Sequence, residues 1–505
     1  MPTSASVAPF HFSRPARLWL LTACLVHALL GALVGLSVDE AHYALYAVHL
    51  DWSYFDHPPL VGWLQWPLVA LGAPVGVMRL VAEALWLLAA VLVHGLALRL
   101  QGSQTPVTPA RGDAGAWAVA VMALSPLLHV LGIGLLPDTL LMALASAVMW
   151  VTLDLREAAA LHRCRFWVVL GLLLGLAGLS KYTAILWALA VALCLLNWHG
   201  VRVLRQPGLW LAVLLAAVCI MPVLGWNYQH QWISFAYQLQ HGSGGGWQGA
   251  HILRFAVVQL LAYGPLFLAA WLGVRQDATV GVRSLTAFFL LPWGVLAVMA
   301  GGGTSLPHWT APAWVCLAPF AGLGLAAVRA RQWLRTSLAG LQALTCTVLL
   351  GLMVTAGQPL LTQAIGQGNS AQPSNPFADV HGWDRAGARA RELAQQEGLP
   401  SVSVQNWTLA SRLGWYARPL PVHVLEDRFD QFTLWAGPLP AGAATLLVDW
   451  SQLGYEVPVG AHGFTDCVLR DTLQVQRLGA TIATFRFYAC KGWSGAPQPR
   501  LQGAS

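Results

Sequence analysis

Apolar stretches of about twenty residues recur along this chain from Arg17 to Ala356, and they constrain its fold more than any other feature. An α-helix needs about 20 apolar residues to cross a hydrocarbon core of about 30 Å. Only 10 % of the 505 residues are charged, against roughly a quarter in ordinary soluble domains. The sequence therefore predicts a polytopic α-helical membrane protein, and its net charge of +7 does not indicate nucleic-acid binding.

The apolar stretches predict about eleven membrane spans. The first is longer than the 7–15-residue core of a signal peptide, and no clear cleavage site follows it, so we interpret it as a retained span. The predicted spans are 17–36, 76–98, 115–136, 138–155, 166–180, 182–198, 208–225, 252–272, 284–300, 310–328 and 337–356.

The basic residues predict which loops lie on which side of the membrane. Of the seventeen Lys and Arg residues up to Arg335, fourteen fall in alternate loops, and only Arg79, Lys181 and Arg254 fall toward the other side. Short loops rich in Lys and Arg stay in the cytoplasm. The N-terminus is therefore predicted to be cytoplasmic. The same rule favours two short spans over one long span in 166–198, with the sequence LSKYT at the outer turn.

The C-terminal part differs in composition from the rest. Residues 1–356 form the predicted transmembrane domain, with outer loops 37–75 and 226–251, and the polar, Pro- and Gly-containing segment 357–378 is a predicted linker. Residues 379–505 contain one surface-helix pattern, WDRAGARARELAQQ, and three strand patterns, SVSVQNW, ATLLVDW and ATIATFRFYAC. They predict a small external α/β domain with its own core. Its two cysteines, Cys467 and Cys490, either form a disulfide in an oxidising compartment or remain free thiols.

Ionisable residues gather in the loops predicted to be external. The first of these loops contains SVDEAHYALYAVHLDWSYFDHPPL, which places four carboxylates and three histidines in 24 residues. Such groups near a membrane edge are costly unless they are paired or hydrated. Each has a plain explanation when taken singly; for example, Asp138 could cap a helix and Arg79 could pair with Glu83. Together they predict one external site, with these candidates: Asp39, Glu40, His57, Arg79, Asp138, Lys181, Tyr182, His241 and His308.

These residue types suit one kind of chemistry. A carboxylate at Asp39 can take a proton from an acceptor hydroxyl. Lys181, Arg79 and His57 can neutralise a phosphate at the membrane surface. A base together with a phosphate clamp at the bilayer edge indicates transfer of a group from a lipid-linked phosphate.

Five motifs in a fixed order resemble those of a known family. They are DEAHYALYAVHLDWSYFDHPPLVGWL, LLPDTLLMALA, GLSKYTAILW, WNYQHQWISFAYQLQHG and PHWTAPAW, and a weaker echo, EDRFDQFTLW, lies in the external domain. The chain resembles the bacterial branch of the GT-C glycosyltransferases of family 39, which are related to protein mannosyltransferases and to aminoarabinose transferases acting on lipid A. The resemblance extends from about residue 20 to residue 320.

The resemblance implies a bacterial inner-membrane enzyme with its C-terminal domain in the periplasm. It implies an inverting transfer of a sugar from a polyprenyl phosphate to a glycolipid, glycan or protein acceptor. Asp39 takes the position of the catalytic carboxylate, with Glu40 beside it, and Asp138 matches the acidic residue of the second outer loop. His57 stands where aminoarabinose transferases carry a lysine, so Lys181 becomes the main expected phosphate contact.

The remaining site residues are also assigned by this resemblance. Arg79 matches a basic residue early in the second span, and Tyr182 belongs to the same motif as Lys181. His241 and His308 are expected on the donor side or in structural roles. Some relatives hold a divalent metal ion near the acidic cluster, but this sequence shows no metal-ligand spacing, and no metal or other cofactor is assigned.

Three alternatives compete with a sugar transferase. The first is a transporter or flippase of lipid-linked saccharide, although the polar groups cluster in loops on one side and no broken-helix repeat is visible. The second is a membrane scaffold whose external domain binds envelope components. The third is a transferase of the same fold that uses a phospholipid or another non-sugar donor.

Overall fold

The computed structural model describes residues 12–102, 113–243, 246–276, 280–303, 305–328, 331–358, 375–453 and 463–498. Packing divides the chain into two compact units. We call the first the membrane unit; it comprises residues 1–29, 51–64 and 76–347. We call the second the sheet unit; it comprises residues 30–50, 65–75 and 348–505. The predicted linker 357–378 lies largely outside the described residues.

Helices make up nearly all of the apolar part of the chain. They are α1 (Arg14–Leu33), α2 (Val38–Val48), α3 (Leu60–Ala70), α4 (Val75–Met78), α5 (Leu80–Gly102), α6 (Ala114–Ala123), α7 (Pro126–Ile133), α8 (Pro137–Asp154), α9 (Cys164–Ser180), α10 (Ile185–His199), α11 (Pro207–Gln229), α12 (Ile233–Ser243), α13 (Gly249–Tyr263), α14 (Ala270–Gln276), α15 (Val280–Arg283), α16 (Ala287–Gly301), α17 (Ala311–Ala327) and α18 (Gln332–Thr355).

The predicted count of eleven spans is not confirmed. Among the described residues, seven helical segments are long and apolar enough to cross a membrane, and the number rises to nine if two bent helix pairs each count as one span. The two other predicted spans correspond to α8 and α9. Helix α8 carries an aspartate near its start and another at its end, and α9 has only 17 residues. The prediction of a multi-span helical membrane protein is confirmed.

Two sharp bends interrupt the helices, and both occur at prolines. Helices α6 and α7 meet at 77° before Pro126, and α13 meets the segment that begins at Pro265 at 98°. Proline lacks a backbone N–H and clashes with the preceding turn, so it breaks the helical hydrogen-bond ladder. Backbone groups freed inside an apolar medium must find new partners.

One side chain, Gln342 of α18, serves both bends. Its amide nitrogen donates to the carbonyl oxygens of Leu124 and Tyr263, at 3.3 and 3.1 Å, and its amide oxygen accepts from the backbone N–H of Leu266 at 2.9 Å. Gly264 makes room for it, because a Cβ at that position would lie 2.1 Å from the Gln342 side chain. Gln342 is fully buried. It therefore replaces the hydrogen bonds that the two breaks remove.

Glu83 pairs with His27 in a second buried contact, whereas the sequence suggested Arg79 as its partner. The Glu83 carboxylate lies 2.5 Å from Nδ1 of His27. A Cβ at residue 132 would meet the His27 ring at 2.3 Å, so the glycine there leaves space for the ring. The i,i+4 pairing of Glu83 with Arg79 is therefore replaced by a contact between α5 and α1.

The described residues of the sheet unit from 375 onward form a five-stranded mixed sheet and three α-helices. The strand order is β2-β1-β3-β5-β4; β1 is parallel to β2 and β3, and β5 is antiparallel to β3 and β4. The strands are β1 (Val402–Val404), β2 (Val422–Val424), β3 (Thr445–Trp450), β4 (Phe464–Arg477) and β5 (Ala480–Trp493), and the helices are α19 (Trp383–Gln396), α20 (Trp407–Tyr416) and α21 (Gln431–Trp435). The predicted small α/β fold of this part of the chain is confirmed.

A long hairpin holds one edge of the sheet. Strands β4 and β5 are joined by Leu478 and Gly479, and both residues have positive φ, as a tight two-residue hairpin turn requires. Cys467 and Cys490 lie opposite each other in this pair and form a disulfide. Of the two states that the sequence left open for these cysteines, the structure shows the bridged one.

A buried cation anchors α20 inside the sheet unit. Arg412 is 1 % exposed, and its guanidinium bonds the Asp379 carboxylate and lies 3.8 Å from the ring centre of Trp383. The ring centre of Trp450 lies 5.0 Å from the same guanidinium group. Burial lowers the pKa of Arg412, and the negative charge of Asp379 opposes that shift. This ion pair and its two indole rings link α20, α19 and β3.

We predict that Asp379→Ala destabilises the sheet unit by about 3 kcal/mol, because it leaves the buried Arg412 guanidinium without its carboxylate. Hydrogen exchange of peptides from α20 and β3, measured by mass spectrometry on the purified protein in detergent, reports this loss. The matched control is Asp384→Ala on the exposed face of α19, which should change exchange in the same peptides little. Equal protection in both variants would contradict the anchoring role of the pair.

Candidate active site

The membrane unit brings together two residues from different predicted outer loops, Asp138 and Lys181. Nζ of Lys181 donates to both carboxylate oxygens of Asp138, at 2.8 and 2.7 Å, and the residues are 5 % and 2 % exposed. Asp138 lies in the first turn of α8, and Lys181 lies between α9 and the short 3₁₀ helix Tyr182–Ala184. The Ser180 hydroxyl donates to the Pro137 carbonyl at 2.8 Å and joins the same two segments.

Asp138 does not act as the helix cap that the sequence also allowed. The backbone N–H of Leu136 donates to Oγ1 of Thr139 at 3.2 Å, so Thr139 makes the side-chain capping bond at the start of α8. The Asp138 carboxylate faces Lys181 instead. A carboxylate and an ammonium that are both buried stabilise each other, since each alone would carry a large desolvation cost.

A third loop, also predicted to be external, reaches this pair through His308 and Trp309. Nε2 of His308 lies 3.8 Å from an Asp138 carboxylate oxygen, and the Trp309 ring centre lies 5.4 Å from Nζ of Lys181. An ammonium group has three N–H donors. Two point at Asp138, which leaves one to bond a ligand oxygen.

Four further predicted site residues lie in or beside this unit's loops. Tyr182 follows Lys181, and its hydroxyl faces Ser53. The carbonyl of His57 accepts from the Tyr54 N–H at 3.2 Å. Arg79 lies between α4 and α5 and is 7 % exposed. The backbone of His241 belongs to α12, and its side chain is outside the described part of the chain.

The sheet unit contains the acidic pair of the first loop predicted to be external, on α2. Ser37 caps this helix: its hydroxyl accepts from the Glu40 N–H at 3.3 Å, and the Glu40 carboxylate accepts from the Ser37 N–H at 3.0 Å. This capping box fixes the start of the helix. Glu40 therefore has a structural task, whereas its neighbour Asp39 does not take part in the box.

Helix α2 is held against the C-terminal part of the chain by specific contacts. Nδ1 of His42 lies 3.0 Å from Oγ of Ser411 on α20, and the Leu36 N–H donates to the Tyr416 hydroxyl at 3.1 Å. The negative charge of Asp39 also acts on the buried Arg412. The position of Asp39 therefore depends on α20, which lies about 370 residues further along the chain.

The sequence prediction missed Ser411, which contacts His42, and the buried Arg412, on which the charge of Asp39 acts. A lone arginine inside the apolar helical sequence LASRLGW was the available signal. The motif echo EDRFDQFTLW also has a structural counterpart, because Asp430 caps α21 and accepts from the N–H groups of Phe432 and Thr433. Burial raises the pKa of Asp430, and the nearby His42 opposes that shift.

No group of three or more His, Cys, Asp or Glu side chains in the described residues is placed to hold a metal ion. The residues around Asp138 and Lys181 satisfy each other as an ion pair rather than as a ligand set. We therefore derive no catalytic step through a metal.

Comparison with known proteins supports the resemblance that the motifs indicated. Residues 56–226 match the family described as "Dolichyl-phosphate-mannose-protein mannosyltransferase". The lipid A galacturonosyltransferase RgtD of Rhizobium johnstonii is 25 % identical over 297 residues, which are 54 % of this chain and 60 % of that protein. The alignment thus spans less than two thirds of that relative.

Two solved structures of ArnT from Cupriavidus metallidurans resemble the fold over nearly the whole chain. The apo structure matches with a TM-score of 0.57 and 17 % identity, and the structure bound to undecaprenyl phosphate matches with a TM-score of 0.58 and 18 % identity. Each match covers 95 % of this chain and 99 % of the ArnT chain. The predicted GT-C architecture with a small C-terminal sheet domain is confirmed.

We predict that Asp138 and Lys181 are energetically coupled. Either Asp138→Asn or Lys181→Met leaves one buried charge unpaired and should cost about 3–5 kcal/mol, whereas the double variant should lose less than either single variant. Thermal unfolding in detergent measures this cycle. The matched control is Asp154→Asn, which breaks the half-exposed pair with Arg99 and should cost at most about 1 kcal/mol. Additive losses at Asp138 and Lys181 would refute the coupling.

Proposed function

We propose that this protein is an integral-membrane glycosyltransferase that moves a sugar from a polyprenyl-phosphate donor to a hydroxyl group of a glycolipid of the lipid A type. The observation that carries the proposal is the buried Asp138–Lys181 pair in the membrane unit. It lies in the range matched by the mannosyltransferase family, which also includes three other predicted site residues, His57, Arg79 and Tyr182.

The donor assignment is supported by the ArnT structure that holds undecaprenyl phosphate, whose fold this chain shares. The acceptor assignment is supported by the similarity to RgtD, a lipid A galacturonosyltransferase. The arginine distribution supports placing the reaction on the outer face of a bacterial inner membrane, with the N-terminus in the cytoplasm and the C-terminal domain in the periplasm.

Lys181 acts on the donor phosphate in this proposal. The bond between the sugar's anomeric carbon and the phosphate oxygen breaks, and the carrier phosphate gains negative charge. Two of the three Lys181 donors stay on Asp138, and the third bonds a phosphate oxygen. Asp138 orients the ammonium, so that it needs no rearrangement when the charge develops. Arg79 adds positive charge to the same task, and His57 can add a hydrogen-bond donor.

Asp39 acts on the acceptor in this proposal. Its carboxylate takes the hydroxyl proton as the acceptor oxygen bonds the anomeric carbon, and attack opposite the leaving phosphate inverts that carbon. Glu40 is bound in the capping box of α2, so it positions Asp39. Ser411 and Arg412 hold the same helix from α20. Orientation of the two substrates supplies a further part of the rate enhancement.

We predict that Asp39→Asn lowers the turnover rate of sugar transfer by about 10²- to 10⁴-fold, because the amide cannot take the hydroxyl proton. The assay uses purified protein in detergent, lipid A and an undecaprenyl-phosphate sugar, with the glycolipid product measured by mass spectrometry. The control Asp466→Asn changes an exposed carboxylate of β4 and should turn over like the wild type. Near wild-type turnover of the Asp39 variant would remove this residue from the base role.

The whole assignment is tested in cells by mass spectrometry of envelope glycolipids with and without the gene. Loss of one sugar from a lipid A species supports the proposal. Unchanged glycolipids together with altered sidedness of a lipid-linked saccharide would overturn it in favour of a flippase.

We further predict that the Asp138→Asn/Lys181→Met double variant, which removes the pair without stranding a charge, raises the Michaelis constant for the donor by about 10- to 100-fold. The estimate follows from the loss of one hydrogen bond to a charged group, about 1.5–3 kcal/mol. The Michaelis constant for lipid A should stay unchanged in the same assay. An unchanged response to donor concentration would count against a phosphate contact at Lys181.

A further inference from the structure

The membrane unit contains a cavity at the opposite end of α8 and α9 from the Asp138–Lys181 pair. Asp138 lies in the first turn of α8, and Asp154 is the last residue of the same helix. The 16 residues between these positions span about 24 Å of helix. The cavity has a volume of about 450 Å³, and pockets that bind small molecules measure about 300–1,000 Å³. It is therefore large enough for a ligand and separate from the candidate active site.

The lining of this cavity is basic. It includes three arginines, Arg99, Arg156 and Arg163, and two carboxylates, Asp154 and Glu157. Asp154 is the partner of Arg99, at 2.6 Å. Neither Arg156 nor Arg163 forms an ion pair with a residue that the structure describes. Because three cationic groups face two anionic ones, the lining has a net charge of +1, which favours a negatively charged ligand.

The backbone between α8 and α9 holds the two unpaired arginines in place. The N–H of Arg156 donates to the Leu153 carbonyl at 3.3 Å, and the N–H of Arg163 donates to the Ala160 carbonyl at 3.0 Å. The intervening residues Ala158–His162 form a short 3₁₀ helix. A site whose backbone is already ordered loses less conformational entropy when a ligand binds.

The position of the cavity along the helices matches the level of lipid head groups. Arg99 lies in the last turn of α5, two residues before the end of the apolar segment Val75–Gln101, which is long enough to cross a membrane. An arginine guanidinium binds phosphate oxygens through two parallel N–H bonds. Basic pockets between membrane helices on the cytoplasmic side bind the head groups of anionic lipids. The arginine distribution predicts that side for the loop between α8 and α9.

An exposed apolar stripe begins beside the cavity. Phe166 lines the cavity, and the next exposed positions of α9 are Val169, Leu172 and Leu176, which are 44, 43 and 37 % exposed. Residues three or four positions apart lie on one face of a helix. The acyl chains of a lipid whose phosphate occupies the cavity would cover this stripe. A soluble phosphate compound would leave it uncovered.

We propose that this cavity binds the phosphate of an anionic phospholipid. Arg156 and Arg163 bond the phosphate oxygens, Arg99 stays on Asp154, and the acyl chains lie along the apolar stripe of α9. The site is distinct from the one assigned to sugar transfer, and its occupation does not depend on that reaction.

The test measures lipid binding to purified, delipidated protein in a neutral detergent by native mass spectrometry. The ligand is phosphatidylglycerol, and zwitterionic phosphatidylcholine is the reference lipid. The Arg156→Gln/Arg163→Gln double variant should bind phosphatidylglycerol about 10- to 30-fold more weakly than the wild type, because each arginine near an anionic lipid contributes about fivefold. Its affinity for phosphatidylcholine should change little.

Two further variants separate the cavity from general surface charge and from damaged folding. Arg202→Gln/Arg205→Gln removes two exposed arginines from the 3₁₀ helix after α10, on the same predicted side but outside the cavity, and should bind phosphatidylglycerol as the wild type does. Glu157→Gln removes an exposed carboxylate from the lining and should tighten binding by about fivefold. A gain in affinity cannot come from a misfolded protein.

Four results would overturn the proposal. Equal weakening in the two double-arginine variants would assign the binding to overall charge. Unchanged affinity in the Arg156→Gln/Arg163→Gln variant would remove the cavity from lipid binding, as would an unchanged or weaker affinity in Glu157→Gln. Displacement of the lipid by millimolar inorganic phosphate would assign the cavity to soluble phosphate compounds, whereas no displacement is expected of a lipid held also by its acyl chains.

Discussion

The burial of opposite charges at Asp138 and Lys181 is the interaction on which the arrangement of the membrane unit's loops depends. Removing either charge from water costs several kcal/mol, and only a close, well-oriented partner offsets that cost. The start of α8 and the turn between α9 and α10 must therefore remain together, and His308 and Trp309 from a third loop complete the surroundings. A reacting phosphate would meet a preset cation instead of a flexible one.

The local features of the fold were predictable from the sequence, because they follow from short-range rules. Apolar length predicted the helices, and alternation predicted the strands around Val402 and Leu446. The SVDE sequence at Ser37 is a capping-box pattern, although the prediction assigned Glu40 a catalytic role only. The number of spans was less predictable, since α8 carries an aspartate near each end and α9 has only 17 residues. In addition, Pro126 and Pro265 bend helices that look continuous by composition.

Contacts between distant segments could not be predicted from one sequence. The single glutamine that serves both helix breaks, Gln342, looks like an ordinary polar residue in an apolar helix. In the same way, nothing near Asp39 indicates that its helix is held by Ser411 and Arg412, because the residues are about 370 positions apart. The residue types expected at the site could be named, but the residues that position them required the structure.

The helix breaks and the side chains around Tyr182 follow the same physical rule, that buried polar groups find partners. At the breaks, Gln342 and Ser125 bond the carbonyls of Leu124 and Tyr263 and an N–H that the prolines displaced. This part of the fold is thus able to supply partners for buried polar groups. Beside Lys181 in the chain the same rule holds, because the Tyr182 hydroxyl hydrogen-bonds the side chains of Ser53, Ser234 and Asn227. In both places a polar side chain from one segment bonds groups of other segments, so these contacts join parts of the chain that are far apart in sequence.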